Sequence, residues 1–307
     1  MKLFLNFFLL SWILANSGFA QEVNSKKPTI IASINPIYQI LLAITEDKNN
    51  SILIINPSLS EHNYQLKKSD VKFFSKADLI FYIDGNLETG FSKLIKNFAA
   101  EKKSYKLSQV ADIKLLQRRD NPKKLDLHIW LNPQNAIKIA EFMTQKICEI
   151  DQENSKKYQQ NLEKFKNEIV ETEKLIHSQL ASIKDRGFVF YHDGYQYFED
   201  YFSIKPLQIM AYDRNRDLSV KDMREFSGLV KSGKVKCIFG EPQDEKNSAM
   251  KLATNYKIKF AILDLLGLKE NFGKKSSSYK ALLLNISDDL VSCLNPESKS
   301  VPDFNIL

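Results

Sequence analysis

Four histidines occur in this chain of 307 residues, and three of them sit where metal chemistry is possible. His62 lies in NPSLSEHNYQL, just beyond an apolar run at 52–55. His128 lies in DLHIWLNP, ahead of a helix expected from Pro133. His192 lies in VFYHDGYQYF, directly after an apolar run at 188–191. A carboxylate has the same kind of place: Asp264, in AILDLLG, follows the run 260–263. Neutral imidazole binds zinc at about 2.0–2.1 Å and carboxylate oxygen at about 2.0–2.2 Å, and four such donors complete a tetrahedron. Three imidazoles and one carboxylate leave such a site at about +1, beside polar neighbours such as Glu61 and Asp193. These residues are far apart in sequence, so spacing alone also admits three unrelated loop histidines. The fourth, His177, lies inside a long helical pattern with Glu173 four residues back, and reads as a surface or packing histidine.

What would position these side chains is an alternation of short apolar runs with helical patterns. Strands are expected at 29–33, 52–55, 79–83, 188–191, 235–239 and 260–263. Most are almost continuously apolar, as befits strands buried on both faces of a parallel sheet. Helices are expected at 36–43, 133–150 and 221–231; the first two open with Pro directly after Asn, a helix-start signal. The alternation argues for an α/β fold. In an open α/β sheet, ligands bind beyond the carboxyl ends of the strands, where His62, His192 and Asp264 fall. From 153 to 184 the chain runs without Gly or Pro, with Leu162, Phe165, Ile169, Leu175 and Ile176 at helical spacing. About 30 residues of helix span about 45 Å, enough for a rigid connector between two α/β halves. The expected organisation is 1–20 as a leader, 21–152 as the first lobe, 153–184 as the linking helix and 185–307 as the second lobe. The Lys- and Arg-rich segment 101–125 reads as a surface excursion, and no internal sequence repeat stands out.

The leader reading rests on Lys2, an apolar run from Leu3 to Ala15, and Gly18-Phe19-Ala20 as a small-x-small cleavage site. Its run is short for a spanning helix, and no Cys near the cut would take a lipid. The mature chain is then expected outside the cytoplasm, from about Gln21. Apolar residues make up 43% of the chain and charged residues 26%, the balance of a folded protein with a sizeable core. The net charge is +7. Its lysines are interleaved with glutamates, as in EKFKNEIVETEK, so a solvated basic surface is expected rather than a nucleic-acid interface. Of the cysteines, Cys148 sits in the helical pattern FMTQKICEI and reads as a small buried hydrophobe. Cys237 and Cys293 remain as the candidate pair in an oxidising compartment.

Taken together these segments resemble the periplasmic zinc-binding proteins of bacterial ABC importers, within the cluster that also holds manganese-binding proteins and related adhesins. SEHNYQLKKSDV resembles the segment around the family's first metal histidine, and KADLIFYIDGNLETGF the strand and loop after it. DLHIWLNP and FVFYHDGYQYFEDYF resemble the second and third histidine motifs, and CIFGEPQ and LDLLG two segments of the C-terminal half. The resemblance implies two (β/α) sandwich lobes joined by one long rigid helix, with the metal in the cleft between them. It implies His62, His128 and His192 as ligands, Asp264 as the carboxylate with Glu61 as its alternative, and a Cys237–Cys293 disulfide. It implies zinc as cargo, a membrane permease as partner and a monomeric, periplasmic, non-enzymatic protein. His192 stands where manganese members typically have a glutamate, which favours zinc over manganese or iron(II). Two departures are visible. The region 101–125 lacks the His- and acid-rich loop of many zinc members, and Leu265 replaces the usual Pro after the aspartate.

Two other classes compete. A zinc hydrolase would need an open coordination position and a base, a role Glu61 beside His62 could fill; no H-E-x-x-H is present. A surface adhesin on the same fold would need tethering, and no lipid-attachment Cys precedes the mature chain.

Overall fold

The computed structural model describes residues 27–47, 50–65, 67–212, 218–244, 247–268 and 278–296. The expected leader, 1–20, lies outside them. The strands are β1 (Ile30–Ala32), β2 (Ser51–Leu53), β3 (Leu79–Tyr82), β4 (Ser104–Lys106), β5 (Leu116–Gln117), β6 (Leu125–Asp126), β7 (Phe188–His192), β8 (Gln208–Ala211), β9 (Cys237–Gly240) and β10 (Lys259–Ile262). The helices are α1 (Asn35–Thr45), α2 (Lys68–Lys76), α3 (Thr89–Asn97), α4 (Pro133–Ile150), α5 (Ser155–Ala181), α6 (Gln196–Phe202), α7 (Val220–Lys231), α8 (Ser248–Tyr256) and α9 (Tyr279–Leu294).

β1 to β4 form one sheet in the order β2-β1-β3-β4, and β7 to β10 another in the order β8-β7-β9-β10. All pairings in both are parallel. The two orders are the same, so the halves repeat a topology although their sequences show no repeat. Each chain path reverses between its first and third strands, which opens a crevice beyond those strand ends. Side chains alternate across the second sheet: Phe188, Phe190, Cys237 and Phe239 face the large core, while Val189 and Ile238 face a smaller one with Met210, Phe226 and Val235. Both sheets are thus covered on two faces, which explains their continuously apolar strands.

Two departures from the sequence reading concern the polar segments. The segment 101–125 contributes β4 to the first sheet, paired with β3, and then the hairpin strands β5 and β6. It is therefore only in part a surface excursion; β4 escaped notice because SYK is neither apolar nor bounded by turn residues. β8 was also missed, since its three buried apolar residues beyond Gln208 give too short a run.

The long helix α5 spans 27 residues, about 40 Å. Its buried stripe is Tyr158, Asn161, Phe165, Ile169, Thr172, Ile176 and Leu180, spaced three or four apart as one helix face requires. Leu175 instead points to solvent. Asn161 is tolerated in the stripe because its amide donates to the Ile44 carbonyl at 2.9 Å. α5 lies against α1, α4 and α9. One apolar cluster accordingly runs from Ile30 to Leu294 through Phe165 and Ile176. The two halves share a core, so the helix is packed along its length and is more than a tether.

A disulfide joins Cys237 to Cys293, with Cα atoms 6.2 Å apart, an ordinary span for a bridge. Cys148 is free and half-buried. The bridge ties the start of β9 to the end of α9 across 56 positions, and on chain-entropy grounds stabilises the fold by about 4 kcal/mol. Non-reducing peptide mapping should find one alkylatable thiol, on Cys148. A Cys237→Ala/Cys293→Ala chain should lose a stability of this order in denaturant titration.

Candidate metal centre

His62 sits in a single 3-10 turn, Glu61–Asn63, capped by Ser60 Oγ, which accepts the His62 amide at 3.3 Å. The loop before it is held by Asn56, whose Oδ1 accepts the Ser58 amide at 2.9 Å. The loop after it is held by Tyr64, which is buried and donates to Asp70. A Cβ on Gly90 would come within 2.1 Å of the Tyr64 carbonyl oxygen. Only glycine lets α3 approach this loop so closely.

His128 lies two residues past the end of β6. Its Nδ1 lies 2.7 Å from Asp126 Oδ1, which also accepts the His128 amide at 3.0 Å. Behind it Trp130 is fully buried and donates from Nε1 to the Leu265 carbonyl at 2.9 Å. Asn132 then caps α4, accepting the amides of Gln134 and Asn135, as the Asn-Pro signal foretold.

His192 is the last residue of β7. Phe190 is in register with Phe239 of β9, so His192 stands level with Glu241, one residue past β9. Their bond, Nδ1 to Glu241 Oε1 at 3.0 Å, follows from that register. A Cβ on Gly194 would press to 3.0 Å from His192 Nδ1 and 3.3 Å from Glu241 Oε1.

The structure brings His62, His128 and His192 together. One ring nitrogen from each lies within 4.8 Å of the others, and ring centroids are 5.5–6.0 Å apart. An ion bound tetrahedrally at about 2.0–2.1 Å would set nitrogens about 3.3 Å apart, so closing on one needs a shift of an ångström or so. With Nδ1 of His128 and His192 each held by a carboxylate, Nε2 is the nitrogen that could serve an ion on both rings, the arrangement that fixes tautomer and raises ligand basicity at metal sites. Glu61 joins the cluster: its Oε1 is 3.4 Å from His62 Nε2 and 3.5 Å from His128 Nε2, and the residue is fully buried. Asp264 is not among the grouped donors. It is buried, and its Oδ1 accepts the amides of Leu266 at 3.1 Å and Gly267 at 2.9 Å. His177 is exposed on α5, with its ring set at an angle to Phe202 and ring centroids 5.0 Å apart.

Sequence reasoning missed Asp126 and Glu241, the carboxylates behind His128 and His192. The signal for Glu241 was the one used for Asp264, an acid directly after a strand; that for Asp126 was its place two residues before a candidate ligand. Burial works against a charged His128, but the Asp126 and Glu61 carboxylates outweigh it and push its pKa up to about 10. Burial raises the Asp126 carboxyl, and the adjacent His128 ring overrides this and holds it below the usual range.

The fold and the cluster define a two-lobed α/β protein with three histidines gathered in the crevice between its sheets. The chain belongs to the ZnuA family, zinc-uptake complex component A, periplasmic, which it matches over residues 30–293. It is 24% identical over 337 aligned residues to the high-affinity zinc uptake system protein ZnuA of Brucella suis, covering 96% of this chain and all of that one. It is 28% identical over 252 residues to the manganese ABC transporter substrate-binding lipoprotein scaA of Streptococcus gordonii, covering 76% and 81%. A crystal structure of ZnuA superposes with a TM-score of 0.75 at 20% identity, covering 87% of this chain and 98% of the other, and so shares its fold.

A protonated His128 cannot bind metal, so protons and metal compete there. The proton on His128 stabilises the metal-free form fully below about pH 6.5 and ceases to do so as pH rises through about 10. Apparent metal affinity should therefore keep climbing, by about tenfold per pH unit, between pH 7 and 9. Asp126→Asn should flatten that slope and weaken binding about 10–100-fold. Chelator competition across this pH range checks both; a plateau above pH 7 in the unaltered protein contradicts them.

Proposed function

We propose that this chain captures one zinc ion in the cleft between its lobes, outside the cytoplasmic membrane, and hands it to the permease of an ABC importer. The observation that carries this reading is the convergence of three imidazoles from both halves of the chain onto one point. The proposed ligands are His62, His128 and His192 through Nε2, with Glu61 Oε1 in the fourth place. Asp264 is the weaker candidate for that place, because its Oδ1 already serves two backbone amides. In this reading Asp264 holds the loop that accepts the Trp130 and Asn35 hydrogen bonds, and so supports the site from behind.

Nitrogen donors favour zinc over manganese in the general affinity order, whereas manganese suits oxygen-rich sites. The name of the S. gordonii relative makes manganese the second cargo to test, with iron(II) after it. Binding for transport, rather than hydrolysis, fits a centre whose Glu61 faces two imidazoles and serves as a ligand instead of a base. All proposed ligands come from one chain, so a monomer is sufficient. Residues 1–20 serve as the export signal, and 21–152, 153–184 and 185–307 as lobe, linking helix and lobe. The shared core along α5 favours capture with little relative motion of the lobes.

His62 is the ligand nearest solvent, with 32% of its side chain exposed against 6% for His128 and 5% for His192. It is the natural last ligand to close on the ion and first to open. His128→Ala and His192→Ala should therefore cost more affinity than His62→Ala, where water can substitute. Glu61→Ala should cost more than Asp264→Ala, and His177→Ala should cost nothing. Titration of each single variant against a coloured zinc chelator gives the order, and adding manganese gives the preference. Equal losses in His177→Ala and His192→Ala, or displacement of zinc by equimolar free manganese, would sink the assignment.

A further inference from the structure

We propose that Arg119 is a positioning residue for the metal centre, a strap that holds the segment leading to His128 against the segment that carries His192. This inference rests on the zinc reading above.

Arg119 lies in the connection between β5 and β6, from which the chain passes through Asp126 to His128. Its guanidinium leaves its own half of the molecule. Nη2 donates to Glu199 Oε2 at 2.6 Å and Nη1 to Glu199 Oε1 at 3.3 Å, a two-pronged grip on α6. Nη1 also donates to Asp193, the residue after His192. A planar guanidinium suits this task because it can hold a carboxylate with both prongs at a fixed angle.

The rest of the hairpin follows the same seam. The Leu116 amide donates to Tyr197 Oη at 2.9 Å, and that hydroxyl donates to the Asp126 carbonyl at 2.7 Å. Gln196 donates to the Gln117 carbonyl at 3.2 Å. Asp126, whose side chain holds His128, is thus fixed through its own backbone to α6 of the opposite half. The carboxylates are buried, with side chains 7% exposed at Asp193 and 5% at Glu199, while Arg119 is 28% exposed. Without Arg119 the buried pair would lack its cation, and one of the two acids, Asp193, is joined by a peptide bond to His192.

The distance between His128 and His192 therefore depends on a contact that touches no metal. Metal geometry tolerates little error, so loosening this contact should act on the ion's residence time as well as on folding. Exposed Lys114 and Asp200 pair on the same seam, at 51% and 35% side-chain exposure, and supply a control of the same charge type away from the ligands.

The experiment uses the full mature chain loaded with zinc. Stopped-flow transfer of zinc to a chelator gives the dissociation rate, cobalt(II) substitution gives a spectrum sensitive to ligand geometry, and a melt of the metal-free protein gives stability. Arg119→Ala should release zinc about tenfold faster or more and alter the cobalt spectrum at a temperature where it is fully folded. Arg119→Lys and Glu199→Gln should fall between it and the unaltered chain, and Lys114→Ala should match the unaltered chain. If Arg119→Ala does not fold, the two milder variants decide the matter. Lower melting temperatures with unaltered zinc release and cobalt spectra would overturn the positioning role and leave Arg119 structural. A chain without substitutions that fails to bind zinc would overturn the zinc reading, and this inference with it.

Discussion

A zinc ion takes its donors at about 2.0–2.1 Å, and here the candidate donors come from opposite halves of the chain. His62 and His128 precede α5, and His192 follows it. Everything else in the structure can be read as a way of keeping that separation small and constant. The apolar cluster continuous from Ile30 to Leu294 makes the two sheets one packed body. Hydrogen bonds across the cleft add direction to that packing: Asn35 to the Leu266 carbonyl, Trp130 to the Leu265 carbonyl, and Gln243 to the Pro57 carbonyl just before the His62 turn.

The electrostatics of the centre follow from the same need. Two of the three imidazoles are almost wholly buried, and each is braced at Nδ1 by a buried carboxylate. Such a brace orients the ring before any ion arrives and strengthens the donor. Its consequence is a proton held on His128 near pH 7 in the metal-free chain, since Asp126 and Glu61 both favour the charged ring. Nearby Glu88, fully buried against the Ile83 and Asp84 amides, is pushed by burial up to about 8. It is therefore largely neutral at pH 7 and adds little further negative charge beneath Glu61.

Much of this was legible in the sequence, for identifiable reasons. Continuously apolar strands, the Asn-Pro helix start at 132–133 and the uninterrupted helix α5 are local signals, and local signals survive in a single sequence. His62 and His192 were legible because strand ends in α/β sheets are binding positions, and His128 through the motif DLHIWLNP ahead of a helix. What escaped depended on register and on contacts between halves. Glu241 reaches His192 only because β9 pairs with β7 in one register. Arg119 appears in sequence as one of a basic run, and its two acids lie 74 and 80 positions away. Asp264 had the right residue type at the right place, but whether its oxygens face an ion or the amides of Leu266 and Gly267 is a matter of loop conformation that no pattern encodes.

The most direct measurement is X-ray absorption at the zinc edge of the loaded protein, read for the number and kind of first-shell atoms. Three imidazole nitrogens near 2.0–2.1 Å with one oxygen at about 2.0–2.2 Å, and the loss of one imidazole in each of the His62→Ala, His128→Ala and His192→Ala chains, is the result this account predicts. A shell of oxygens alone, a sulfur scatterer near 2.3 Å, or an imidazole count unchanged by those substitutions would contradict it.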